Sequence, residues 1–134
     1  NATTECSKFN DNFKQRMVNA GVKDSVIIMS SFNASSRVIK NKDAEEILKI
    51  ERSKGGKTGV MEGKLTFKDI SKYAMFDRLR EGMEIGDPDR GVWNCGQSVA
   101  LIDDVISCQQ FVTNIINEAE SALRTIYPMF PSSL

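Results

Sequence analysis

Ser107-Cys-Gln-Gln-Phe-Val-Thr-Asn-Ile-Ile-Asn-Glu-Ala-Glu-Ser-Ala-Leu-Arg-Thr-Ile126 is the stretch that decides the class of this fold. Ser107 followed by Gln110 is a capping-box signature. Phe111, Val112, Ile115, Ile116, Ala119, Ala122, Leu123 and Ile126 then recur at helical spacing as one continuous apolar stripe. The pattern predicts a long amphipathic helix that ends before Pro128. Working back along the chain, Thr66 with Asp69 is a second capping box. It opens a helix that carries Ile70, Tyr73, Ala74 and Leu79 and runs to Gly82. Asp43 is placed to cap a helix over 44–52, with Glu45 and Glu46 in its first turn, where the helix dipole favours acids. Phe9, Phe13, Met17 and Ala20 mark a short helix ending near Ala20, with Gly21 where its C-cap would fall. Between these helices, 25–32 and 35–39 are rich in Val and Ile without helical period, and they predict a two-stranded unit. The fold class is therefore α+β, a mainly helical segment with a small two-stranded unit, and 1–134 forms a single domain with no internal repeat.

Bulk composition narrows the function. With 40% apolar and 27% charged residues the 134-residue chain is globular rather than disordered. Eighteen basic and eighteen acidic side chains cancel, which disfavours nucleic acid and anionic membrane surfaces as partners. No apolar run approaches the roughly 20 residues a membrane span needs, and no leader pattern opens the sequence. The chain starts without Met and with small polar residues, and it reads as a C-terminal piece of a larger cytoplasmic protein. Cys6, Cys95 and Cys108 have no metal-ligand spacing and read as reduced thiols. On the same ground the sequons at Asn1 and Asn33 are set aside. Histidine is absent, and with it the commonest general base and transition-metal ligand.

Few segments look built for chemistry. Ser53-Lys-Gly-Gly-Lys-Thr-Gly59 superficially suggests a phosphate loop, but Glu51 stands where the first glycine belongs and a helix, not a strand, precedes it. It reads as a solvated turn. Asp103 and Asp104 are adjacent, so they point apart and serve the following helix rather than a paired-carboxylate site. Cys95 has no histidine to activate it. Gly86-Asp-Pro-Asp-Arg-Gly91 breaks the helical pattern, and the irregular run after it is the one segment suited to close approach. Gly91 and Gly96 let backbone come near a flat ligand, while Asn94, Gln97 and Ser98 supply donors and acceptors. The competing reading is a loop packed by Trp93 on a neighbouring helix.

Gly91-Val-Trp-Asn-Cys-Gly-Gln-Ser-Val-Ala-Leu-Ile-Asp-Asp104, with the Ser-Cys and amphipathic helix after it, resembles the C-terminus of the nitronate monooxygenase (2-nitropropane dioxygenase) family. Ala2-Thr-Thr-Glu-Cys6, Asp24-Ser-Val-Ile-Ile-Met-Ser-Ser-Phe32 and Arg37-Val-Ile-Lys-Asn-Lys42 are similar to further blocks of that family in the same order, so the resemblance spans nearly the whole chain. It implies an FMN-dependent oxidoreductase that oxidises alkyl nitronates, with the C-terminal helical region here and the flavin-binding TIM barrel and catalytic histidine outside these residues. It also implies that Gly96, Gln97 and Ser98 face the flavin and substrate cavity. Val105-Ile106 departs from the family's frequent Ile-Pro pair, and the 55–63 linker is shorter and more polar than the resemblance implies. A flavin-dependent enoyl reductase is the enzymatic alternative; a binding or dimerisation module without catalysis is the other. No catalytic or metal-ligating residue is assigned. This chain alone is expected to be inactive and to hold no FMN. Its partners are expected to be the missing barrel and a second copy of itself.

Overall fold

The computed structural model describes Thr4 and residues 8–127. Its elements follow in the order α1 (Asp11–Val18), β1 (Ser25–Ile28), β2 (Ser36–Ile39), α2 (Lys42–Ser53), α3 (Gly56–Met61), α4 (Phe67–Ala74), α5 (Phe76–Ile85) and α6 (Cys108–Ile126). The predicted class holds: the chain is mainly helical with one antiparallel pair.

The hairpin is the centre. Ser25 pairs with Ile39, Val26 with Val38, Ile27 with Arg37 and Ile28 with Ser36. Side chains alternate between the faces of a strand, so Val38 and Ile39 point to opposite sides, and both are buried. Val38 and Ile28 join Ala44 and Ile47 of α2 and Ile70 of α4. On the other face Ile39 meets Phe13, Met17 and Ala20 from the α1 side, together with Trp93, Cys95 and Val99. Each face of the hairpin meets one core cluster, which explains much of the apolar reading of its strands, although Ile27 stays exposed.

Several boundaries differ from the sequence expectation. β1 stops at Ile28 instead of Phe32, because the buried Glu51 carboxylate accepts from the Met29 and Ser31 amides, each at 3.0 Å. Those amides leave the ladder, and the chain turns through a 3-10 segment, Ser30–Phe32, flanked by Met29 (φ 56°) and Asn33 (φ 54°). α2 is capped by Asn41, whose Oδ1 accepts from the Ala44 amide at 2.9 Å, and not by Asp43. The 53–59 stretch is not a solvated turn. Gly55 (φ 85°) ends α2 and a short helix, α3, follows, with Gly59 pressed so closely on Lys54 that a Cβ would lie 1.8 Å from its carbonyl oxygen. The single helix expected from Thr66 to Gly82 is two. Met75 is extended (φ −71°, ψ 142°) between α4 and α5, although the Thr66/Asp69 capping box is formed.

The cysteines also need correction. Cys95 is a buried free thiol, but Cys108 is disulfide-bonded. The reading of all three as reduced thiols fails at Cys108, since an odd count does not exclude one pair. Of the Ala2–Cys6 block only Thr4 is described; Asn1, Cys6 and Pro128 lie outside the described residues.

Candidate functional site

The polar loop that carries Gly96, Gln97 and Ser98 is held at three points. Asn41 and Asp43, at the start of α2, form the first. Asn41 Nδ2 donates to the carbonyls of Pro88 (2.9 Å) and Gly91 (2.8 Å), and Asp43 accepts the Gly91 amide at 2.6 Å. The Asp43 carboxylate is itself gripped in two places by the Arg78 guanidinium of α5, at 2.8 and 3.2 Å. That hydrogen bond raises the Arg78 pKa further. A buried carboxylate paired this way is costly to strand, on the order of 3 kcal/mol if its cation is removed, so the clamp fixes where the loop begins. From sequence alone Asp43 resembles a helix cap, because its true partners, Arg78 and Gly91, lie far along the chain.

Trp93 provides the second point. Its ring lies 5.2 Å from that of Phe13 in α1, and its indole N–H donates to the Pro88 carbonyl at 3.1 Å. Loop packing by Trp93 on a neighbouring helix is therefore real, but it is compatible with a presented tip. The third point is backbone pairing with β2. Ile39 N donates to Trp93 O and Cys95 N donates to Arg37 O, both at 3.1 Å, while Asn94 bridges Val38 and accepts from the Ser36 hydroxyl at 2.9 Å.

Beyond Cys95 the chain enters a 3-10 turn, Gln97–Leu101, with Gly96 as its N-cap. Cys95 and Val99 point into the core, whereas Gly96, Gln97 and Ser98 are all exposed. The three residues are thus displayed side by side on a braced turn. Burial pushes the Cys95 thiol up from its ordinary pKa, with Arg16 a smaller opposing influence. The protonated, enclosed sulfur is suited to packing, not nucleophilic attack.

The two glycines of this loop separate. Gly91 has φ +77° and is buried against α5, where a Cβ would lie 2.4 Å from Leu79 Cα. Its role is close packing within the fold, which corrects the expectation that it serves a ligand. Gly96 has φ −72°, and a Cβ there would meet nothing closer than Ser98 Oγ at 3.4 Å. The fold itself does not require glycine at 96. Asp103 and Asp104 are exposed ahead of α6 and line a shallow hollow with Leu101, Ile106 and Phe111.

Among the described residues no helix is long and apolar enough to cross a membrane. No family model matches the chain. Among solved structures it is similar to FabK from Thermotoga maritima, with a TM-score of 0.73 and 21% identity over 96% of this chain and 37% of that one. It is also similar to a point mutant of the same FabK, with a TM-score of 0.68 and 19% identity over 96% of this chain and 34% of the other. The chain thus spans about a third of the length of the FabK chains it matches, and what it shares with them at these identities is the fold.

Proposed function

We propose that this chain is the C-terminal helical portion of an FMN-dependent oxidoreductase that oxidises alkyl nitronates, and that a flavin-binding barrel outside these residues seats against it. The observation that carries the reading is Gly96: exposed, unstrained, with room for a side chain, on a turn braced by Asn41, Asp43 and Trp93. A glycine the fold does not need is accounted for by a flat ligand that approaches the backbone there. Gln97 and Ser98 beside it supply hydrogen-bonding groups to orient such a ligand. These residues fit one edge of a flavin. Among the described residues there is no glycine-rich cradle after a strand for the phosphate, so the chain would line the cofactor without holding it, and alone it would be inactive. FMN, when bound, would supply the redox chemistry; the share of this chain is to orient it and keep water away.

The ordered sequence blocks favour nitronate oxidation, while the fold shared with FabK supports the broader reading of an FMN-oxidoreductase relative and keeps an enoyl reductase as the second candidate. A stand-alone binding module is the reading outside catalysis. The cytoplasmic setting read from the sequence is not carried into the proposal, because the disulfide of Cys108 points away from a reducing compartment. The test is Gln97→Ala in the complete enzyme, assayed with alkyl nitronates and with enoyl thioesters. Turnover or the flavin absorption spectrum should change while the melting temperature stays nearly constant. Loss of folding with unchanged turnover per folded molecule would make the loop purely structural.

A further inference from the structure

A second concavity lies away from the loop, between the hairpin and the outer side of α2. It has a volume of about 730 Å³ and is walled by Lys23 and Lys40 at the ends of the strands and by Glu45, Lys49 and Arg52 on α2. Val26 and Leu48, both half-buried, line its apolar part. None of the residues of the Gly96 turn belongs to it. The size lies within the range of about 300–1,000 Å³ typical of small-ligand sites.

Its charge is out of keeping with the rest of the molecule. The whole chain is neutral, yet this lining holds four cations and one carboxylate. Lys40 reaches Glu45 at 3.6 Å, and Lys49 is engaged by Glu46 at 3.3 Å. Among the described residues Lys23 and Arg52 have no ion pair at all, and they stand on the two walls, one on the hairpin side and one on the helix. Two uncompensated cations beside an apolar floor complement a compact molecule with an apolar body and two negative charges. Arginine's fork additionally suits a phosphate. We infer that this concavity binds a small amphiphilic phosphomonoester, with the apolar body on Val26 and Leu48 and the phosphate held by Lys23 and Arg52. The site is independent of the flavin reading.

The test is a titration of the full chain with 1-naphthyl phosphate, followed by amide chemical shifts, with 1-naphthol, inorganic phosphate and an octaglutamate peptide as comparison probes. Saturable shifts at Lys23, Val26, Lys40, Leu48 and Arg52 are expected, with weaker binding of 1-naphthol and of inorganic phosphate. Affinity should fall about tenfold or more in the Lys23→Gln/Arg52→Gln double variant and should fall with added salt. Both replaced side chains are exposed, and unchanged shifts elsewhere verify that the variant is folded. Four results would each overturn the proposal: shifts that do not saturate, shifts confined to α6, affinity untouched by the double variant, or inorganic phosphate binding as tightly as the naphthyl ester. Tighter binding of octaglutamate would also overturn it, in favour of an acidic peptide.

Discussion

At Gly91 a Cβ would strike the α5 backbone at Leu79, and the positive φ would strain any other residue; at Gly96 neither obstacle exists. Gly91→Ala should therefore cost about 3 kcal/mol or more, combining left-handed strain with overpacking. Gly96→Ala should leave the chain's melting temperature nearly unchanged and weaken flavin retention in the complete enzyme. Thermal melts of the two variants check the first half of this account; an early melt for Gly96→Ala would mean that the turn needs glycine for its own sake. Sequence alone grouped the two glycines, because both sit among polar residues in a run without period. What separates them is a contact with a helix that precedes them in the chain, and no local pattern records it. Asp43 was misread for the same reason: its neighbourhood resembles a cap, while its partners Arg78 and Gly91 arrive through tertiary folding.

Element by element, the signals that were legible are local and chemical. The Thr66/Asp69 box is formed; at Ser107 only half of the expected box is, its Oγ accepting from the Gln110 amide at 3.1 Å while the Gln110 side chain turns to Asn114, so both helix starts were legible from residue spacing. The ends were harder. The end of β1 depends on Glu51, a residue of α2, and the break at Met75 carries no glycine or proline to announce it. The contact between the end of α2 and the start of α4 gives a pH prediction. Lys54 donates to Asp69 at 2.5 Å, and the Thr66 amide and hydroxyl donate at 2.8 and 3.0 Å. The Lys54 hydrogen bond first, then those from Thr66, lower the Asp69 carboxyl from 3.8 to about 2. Because the folded value is the depressed one, this stabilisation is complete above the ordinary value of 3.8 and is lost as pH falls through about 2. Asp69→Asn should lower the melting temperature at neutral pH, and the gap from the parent chain should close between pH 3.8 and about 2. A gap that persists unchanged at the acid end would mean the carboxylate charge contributes nothing there.

For the molecule as a whole, α6 is the uncovered surface. Its stripe was plain in the sequence, yet no residue of the helix is buried, and Val112, Ile115, Ile116 and Leu123 are each more than half exposed. A helical period tells which face is apolar; it does not tell what covers it. Monomers tolerate only a few hundred Å² of such surface, and each Å² left wet forgoes about 25 cal/mol. We propose that a barrel covers this face in the complete enzyme and that, without one, a second copy does so through Phe111, Ile115 and Ala119. Light scattering should find the isolated chain dimeric or larger, and Ile115→Asp should shift it toward monomer. A monomer over a wide concentration range would contradict the uncovered face. Flavin content shows whether this fold is one part of a flavoenzyme. The protein from the complete reading frame and the 134-residue chain are each passed through gel filtration, and their absorption is recorded between 350 and 500 nm, roughly where oxidised flavin absorbs. FMN is expected to be bound one to one in a longer product, and the short chain is expected to be colourless. A longer product free of flavin, or a short chain that keeps it stoichiometrically, would contradict this reading.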